Sequence, residues 1–146
     1  MLRYIVLLFL FMKIIIAKQI SHINDLQWSN RIIIVMNDIN FEFQKKIKLN
    51  QIGIDDRKIS IIICNKKEVY LDSKLMPEKF SDSVLERVEN IDKNHRLILI
   101  GKDGNIKSSY LFETELEKIF YDVDKMPMRK YEMKIRNNIK SDYIVE

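Results

Sequence analysis

The sequence predicts an α/β fold in which a mixed central sheet of about four or five strands is flanked by helices. Three short segments, Ile32–Met36, Lys58–Cys64 and Arg96–Ile100, are dominated by Ile, Leu and Val without alternation, the pattern of strands covered on both faces. The stretches between and after them place apolar residues at helical spacing, which implies helices covering a sheet. Composition agrees: 146 residues, 47% hydrophobic and 32% charged with only 3 Gly and 2 Pro, suit one globular domain and exclude collagen-like or low-complexity chains.

The first element lies outside this fold. Residues 1–17 place Arg3 before an apolar run from Tyr4 to Met12, then Lys13, Ile14–Ile16 and Ala17. A basic start, an apolar core of roughly 7–15 residues and a small residue at the cut make a signal peptide. The competing reading is an uncleaved anchor, against which stand the shortness of the run and Lys13. Cleavage after Ala17 leaves 18–146 as a single domain with a C-terminal helical extension from about residue 125. It also lowers the net charge from +4 to +2, because Arg3 and Lys13 leave 23 basic residues against 21 acidic ones. That balance gives no support for nucleic-acid binding.

Trp28–Met36 is the first strand. After the polar turn Asn37–Asn40, residues Phe41, Phe43, Ile47, Leu49 and Ile52 mark a helix, with Gly53 as its C-cap. Lys58–Cys64 is the second strand, and Val69–Leu71 adds a short piece beyond the turn Asn65–Glu68. Ser83 with Glu86 fits a capping box opening a helix over Asp82–Ile91. Arg96–Ile100 is the third strand. Gly101–Asn105 makes a hairpin, with Asp103-Gly104 at its positive-φ positions, and Ile106–Leu111 returns. Thr114 with Glu117 is a second capping box, before a helix carrying Leu116, Ile119, Phe120 and Val123. Pro127 interrupts, and Met128–Asn138 forms a basic last helix. Two strands linked through a helix, then a β-hairpin and a closing helix, give the thioredoxin arrangement.

Three segments carry a resemblance. The opening WSNRIIIV (Trp28–Val35, with Trp28 and Arg31), the central LIGKDGNIK (Leu99–Lys107, with Gly101, Lys102, Asp103, Gly104 and Lys107) and the closing MPMRKYEM (Met126, Pro127, Met128, Arg129, Glu132, Met133) resemble the motifs of the bacterial family called domain of unknown function 4174. Asp56–Arg57 sits where that family often has Asp-Arg before its second strand. The resemblance spans about residues 24–134. It implies a thioredoxin-like domain, related to domains in secreted matrix proteins with sushi repeats or coiled coils, and no established activity.

No motif supplies catalysis. A thiol oxidoreductase on this fold needs a low-pKa cysteine at the helix N-terminus after the first strand, and Asn37-Asp38-Ile39-Asn40 offers none. Asn94-His95 stands where such proteins usually carry Pro. Cys64, the single cysteine, reads as a small buried hydrophobe ahead of a reactive thiol. His22 and His95 lack metal-ligand spacing, and Gly101-Lys102-Asp103-Gly104 has the wrong spacing for a phosphate loop. In MPMR the structural account has Met126, Met128 and Met133 filling gaps and Arg129 pairing with Glu132 on the helix surface or bonding carbonyls and carboxylates of the body. The functional account is a Met-rich ledge for a partner. The run Arg129, Lys130, Lys134, Arg136 and Lys140 reads as a solvated face, with a membrane-surface role as the lesser option.

The expected function is therefore an exported, periplasmic or secreted, thioredoxin-like domain that binds a protein or envelope component without catalysis, cofactor or metal. Membrane attachment is expected only through an uncleaved N-terminus. The alternative is an enzyme with a non-standard site, such as single-cysteine redox chemistry through Cys64.

Overall fold

The computed structural model describes residues 19–36, 40–66 and 68–142; the leader and most of the Asn37–Asn40 turn lie outside the described residues. A 3-10 turn, Ile23–Leu26, precedes β1 (Arg31–Met36), α1 (Phe41–Leu49), α2 (Gln51–Asp56), β2 (Ile59–Asn65), β3 (Glu68–Leu71) and β4 (Lys74–Leu75). Then follow α3 (Glu78–Val88), β5 (Leu97–Ile100), β6 (Ile106–Tyr110), α4 (Leu116–Asp124) and α5 (Pro127–Asp142). Six strands among the described residues form one sheet in the order β4-β3-β2-β1-β5-β6. β1 and β2 run parallel, and the other neighbours are antiparallel. The three apolar runs are thus adjacent at the centre of the sheet, where each is covered on both faces.

Alternate residues of those strands feed two cores. Ile32, Ile34, Ile62, Ile98 and Ile100 pack with Phe80, Val84 and Val88 of α3 and with Ile23 and Leu26. Ile33, Val35, Ile61, Leu97 and Leu99 face Phe43 of α1, Ile54 of α2, and Leu116, Ile119, Phe120 and Val123 of α4.

Several elements differ from the sequence expectation. The sheet has six strands, not four or five, because β3 and β4 close a hairpin through Asp72 (φ 46°) and Ser73 (φ 72°), a turn without the glycine that signals one. The first strand starts at Arg31, since Trp28 (φ 67°) is in a left-handed turn. The predicted helix through Ile52 breaks at Asn50, so Gly53 is inside α2 and caps nothing. α3 begins at Glu78, four residues before the expected Asp82, and Ser83 is internal to it. There the Ser83 hydroxyl donates to the Phe80 carbonyl (2.7 Å) and accepts from Ile23 N–H (3.0 Å). Glu115, not Thr114, is the N-cap of α4, without a side-chain cap bond. In the β5–β6 turn only Gly104 has positive φ (78°), so Asp103 does not share that role.

Gly53 is needed for close approach instead. A Cβ there would lie 2.8 Å from Cε2 of the Phe120 ring, within the core. Gly53→Ala is expected to cost about 1–3 kcal/mol through overpacking, despite its better helix propensity. Urea unfolding checks this, and an unchanged or stabilised variant would contradict it.

Candidate functional site

Arg31 heads β1 and is only 1% exposed, although five apolar residues follow it. A guanidinium so placed must find an anion, because an unpaired buried charge is costly. Its fork meets the Glu132 carboxylate of α5: Nη1 donates to Oε2 at 3.2 Å and Nη2 to Oε1 at 3.3 Å. Nη1 also donates to the Arg57 carbonyl at 2.8 Å. From the β5–β6 turn, Lys102 (7% exposed) donates through Nζ to Glu132 Oε1 at 2.7 Å. One carboxylate thus bridges two buried cations from two different strand ends.

Arg129, one turn earlier on α5, extends the cluster. It is 2% exposed. Its Nε donates to Asp124 Oδ1 at 3.0 Å, its Nη1 to the Asp56 carbonyl at 2.8 Å, and its Nη2 to the Asp56 carboxylate. Arg136 also donates to the Asp56 carboxylate. Arg57 Nη2 donates to Asp124 Oδ2 at 2.5 Å while its guanidinium lies 4.6 Å over the Phe120 ring. Arg129 makes the carbonyl and carboxylate contacts of the structural account, but its ion pair with Glu132 (3.9 Å) is buried, not on the helix surface. Arg129 is equally not part of a solvated face, whereas the Arg136 side chain is 45% exposed although it pairs with Asp56.

The central motif holds its own turn. Lys107 Nζ donates to Asp103 Oδ2 at 2.6 Å, and Gln27 Nε2 to the Asp103 carbonyl at 2.8 Å. Trp28 contributes through its backbone, its N–H donating to the Lys102 carbonyl at 2.6 Å, while its side chain is 64% exposed. Between this turn and the start of α5 is a small pocket of about 260 Å³, lined by Arg31, Gly101, Lys102, Asp103, Lys107, Met126, Pro127 and Met128. Every one of these residues belongs to the three motifs. Met126 and Met133 are half-buried, but Met128 is 41% exposed and fills no interior gap.

Burial alone would raise the Glu132 pKa; hydrogen bonds from Lys102 and Arg31 outweigh it and hold the carboxyl below its ordinary value. The same balance, with Arg136 and Arg129 as donors, lowers Asp56. Such groups bind protons more weakly folded than unfolded, so they add stability above the ordinary carboxylate pKa of about 4. That stability is lost as pH falls through the lowered folded values. Hydrogen exchange along α5 is therefore expected to rise below about pH 4 before the central strands open. Simultaneous exchange of both would contradict this.

The sequence marks Arg31, Lys102, Arg129 and Glu132 and pairs Arg129 with Glu132, but not Glu132 with Arg31 and Lys102. It gives Asp56–Arg57 only as a resemblance and misses Asp124 and Arg136 as members of the cluster. A charged residue heading a doubly buried strand was the available signal. Other candidates stand apart: His95 Nδ1 is 2.9 Å from Ser109 Oγ, His22 caps the 3-10 turn, and Cys64 is buried beneath α3. Among the described residues no group of His, Cys, Asp and Glu has the arrangement of a metal site.

A family model for a domain of unknown function (DUF4174) matches residues 22–132. No curated protein and no solved structure matches the chain.

Proposed function

The chain belongs to the family defined by that domain of unknown function, and on this footing we propose that it is an exported, non-enzymatic binding module of thioredoxin type. The observation that carries the reading is the pairing of the cluster's carboxylates with buried cations. Asp56, Asp124 and Glu132 each accept from at least two cationic side chains. A general base near neutrality needs a carboxylate with a raised pKa and a free lone pair facing substrate. Asp56 and Glu132 are lowered carboxyls instead, and the effect of the cluster is to clamp α5 onto the sheet ends. The motifs thus build a scaffold that presents the outer face of α5.

The thioredoxin reading is supported by the strand order β2-β1-β5-β6, with β1 and β2 parallel and β5 and β6 antiparallel, closed by α4. Export is supported by the order of Arg3, apolar run and Ala17 in the sequence. Against single-cysteine redox chemistry stands the burial of Cys64, which pushes its thiol up to about 12. A reactive cysteine needs the opposite shift and solvent access.

Alkylation with iodoacetamide tests the non-enzymatic half of the proposal. Cys64 in the folded protein is expected to resist modification until denaturant is added, and prompt alkylation would return the redox alternative. Intact mass of the protein recovered from its native cell tests the other half: loss of residues 1–17 is expected, and a retained leader would make the chain anchored.

A further inference from the structure

We propose that α5 docks on an anionic lipid bilayer, its outer apolar stripe among the acyl chains and its lysines at the headgroup phosphates. This rests on the binding-module reading and names the partner. The clamp uses one side of the helix, through Arg129, Glu132 and Arg136. The adjoining face carries Met128, Tyr131, Ile135 and Ile139, at the spacing that lines up side chains on one helix face. These four are 41%, 66%, 42% and 50% exposed. Residues 134–139 are all exposed, Arg136 included, although it reaches back to the Asp56 carboxylate.

Charge selects the occupant. α5 carries five basic and two acidic residues, a net of +3. Its two arginines and Glu132 are engaged with the body, whereas Lys134, flanking the stripe next to Tyr131, and Lys130, on the face beyond it, are exposed with no carboxylate partner among the described residues. A second copy of the chain would bring like charges together. It would also gain on the order of 400 Å² per partner from these side chains, against roughly 800 Å² in a standard interface. An anionic bilayer satisfies both features: apolar side chains sink to the acyl boundary, and lysines snorkel to phosphates. No helix among the described residues is long and apolar enough to cross a membrane, so α5 would lie in the interface plane.

The test uses the full chain with its one indole moved onto the stripe, Trp28→Phe with Tyr131→Trp. Vesicles of phosphatidylcholine with phosphatidylglycerol are expected to shift the emission to the blue, and lipids brominated on the acyl chains to quench it. The same indole placed by Asn137→Trp, on the opposite face, is expected to stay water-like. Lys130→Glu with Lys134→Glu is expected to weaken partition roughly 30-fold or more, from the worth of each lysine near an anionic surface. Both lysines are exposed, so this variant retains the fold, as its thermal melt would verify.

An unmoved spectrum at position 131 with anionic vesicles overturns the proposal. So does an equal shift in phosphatidylcholine alone, which a leader inserting by itself would give. A lipid-free blue shift that grows with protein concentration also overturns it, in favour of a second copy. In any of these cases a Cys64 that still resists alkylation leaves the non-enzymatic reading standing and removes only the bilayer.

Discussion

Glu132→Ala is expected to destabilise the protein by about 3–5 kcal/mol, the usual cost of removing one partner from a buried ion pair. The reason is what remains behind. Arg31 is 1% and Lys102 7% exposed, and both would lose their only carboxylate among the described residues. Against a total stability of about 5–15 kcal/mol this is a large fraction. Glu132→Gln keeps the shape and an acceptor for one donor and is expected to cost less. The informative control replaces all three partners, Arg31→Met, Lys102→Met and Glu132→Leu. Removing a whole buried cluster in favour of apolar side chains is often neutral or stabilising, so the triple variant is expected to outlast Glu132→Ala in urea. If Glu132→Ala costs under about 1 kcal/mol, the cluster is a solvated surface pair and the clamp is wrong.

Ile98→Asp is expected to abolish folding. Ile98 is 0% exposed in β5, between Ile34 on β1 and Ser109 on β6. It points into the core under α3 with Ile32, Ile34 and Val84. A carboxylate there has no cation within the cluster, and its desolvation exceeds what a marginally stable domain tolerates. Ser109 is the paired residue on β6, and Ile98→Val is expected to cost only about 0.5–1.5 kcal/mol. A soluble Ile98→Asp protein with a cooperative melt would refute the central placement of β5.

The central strands were legible because a strand covered on both faces writes its burial into consecutive residues. Ile32–Val35 and Leu97–Ile100 need no partner to be recognised. The β3–β4 hairpin was not legible, since Asp72 and Ser73 take left-handed conformations that sequence assigns to Gly. The Ser83 capping box failed because of a long-range contact. Ser83 matches the local pattern, but its hydroxyl is taken by a backbone amide 60 residues away. The charge cluster was legible only as separate motifs. Lys102 and Glu132 are 30 residues apart and Arg31 and Glu132 are 101 apart, separations over which no periodicity carries information.

That last separation also sets an order of events during synthesis. Arg31 leaves the ribosome early, and its strand cannot gain its second neighbour until Leu97–Ile100 follows. At about 5–20 residues per second, the apolar face of β1 waits several seconds for β5. Glu132 comes later still, after all six strands of the described residues. Closing the sheet around β1 before then would strand a guanidinium without its anion. The last helix among the described residues is therefore the one that supplies the anion for the buried head of the first strand.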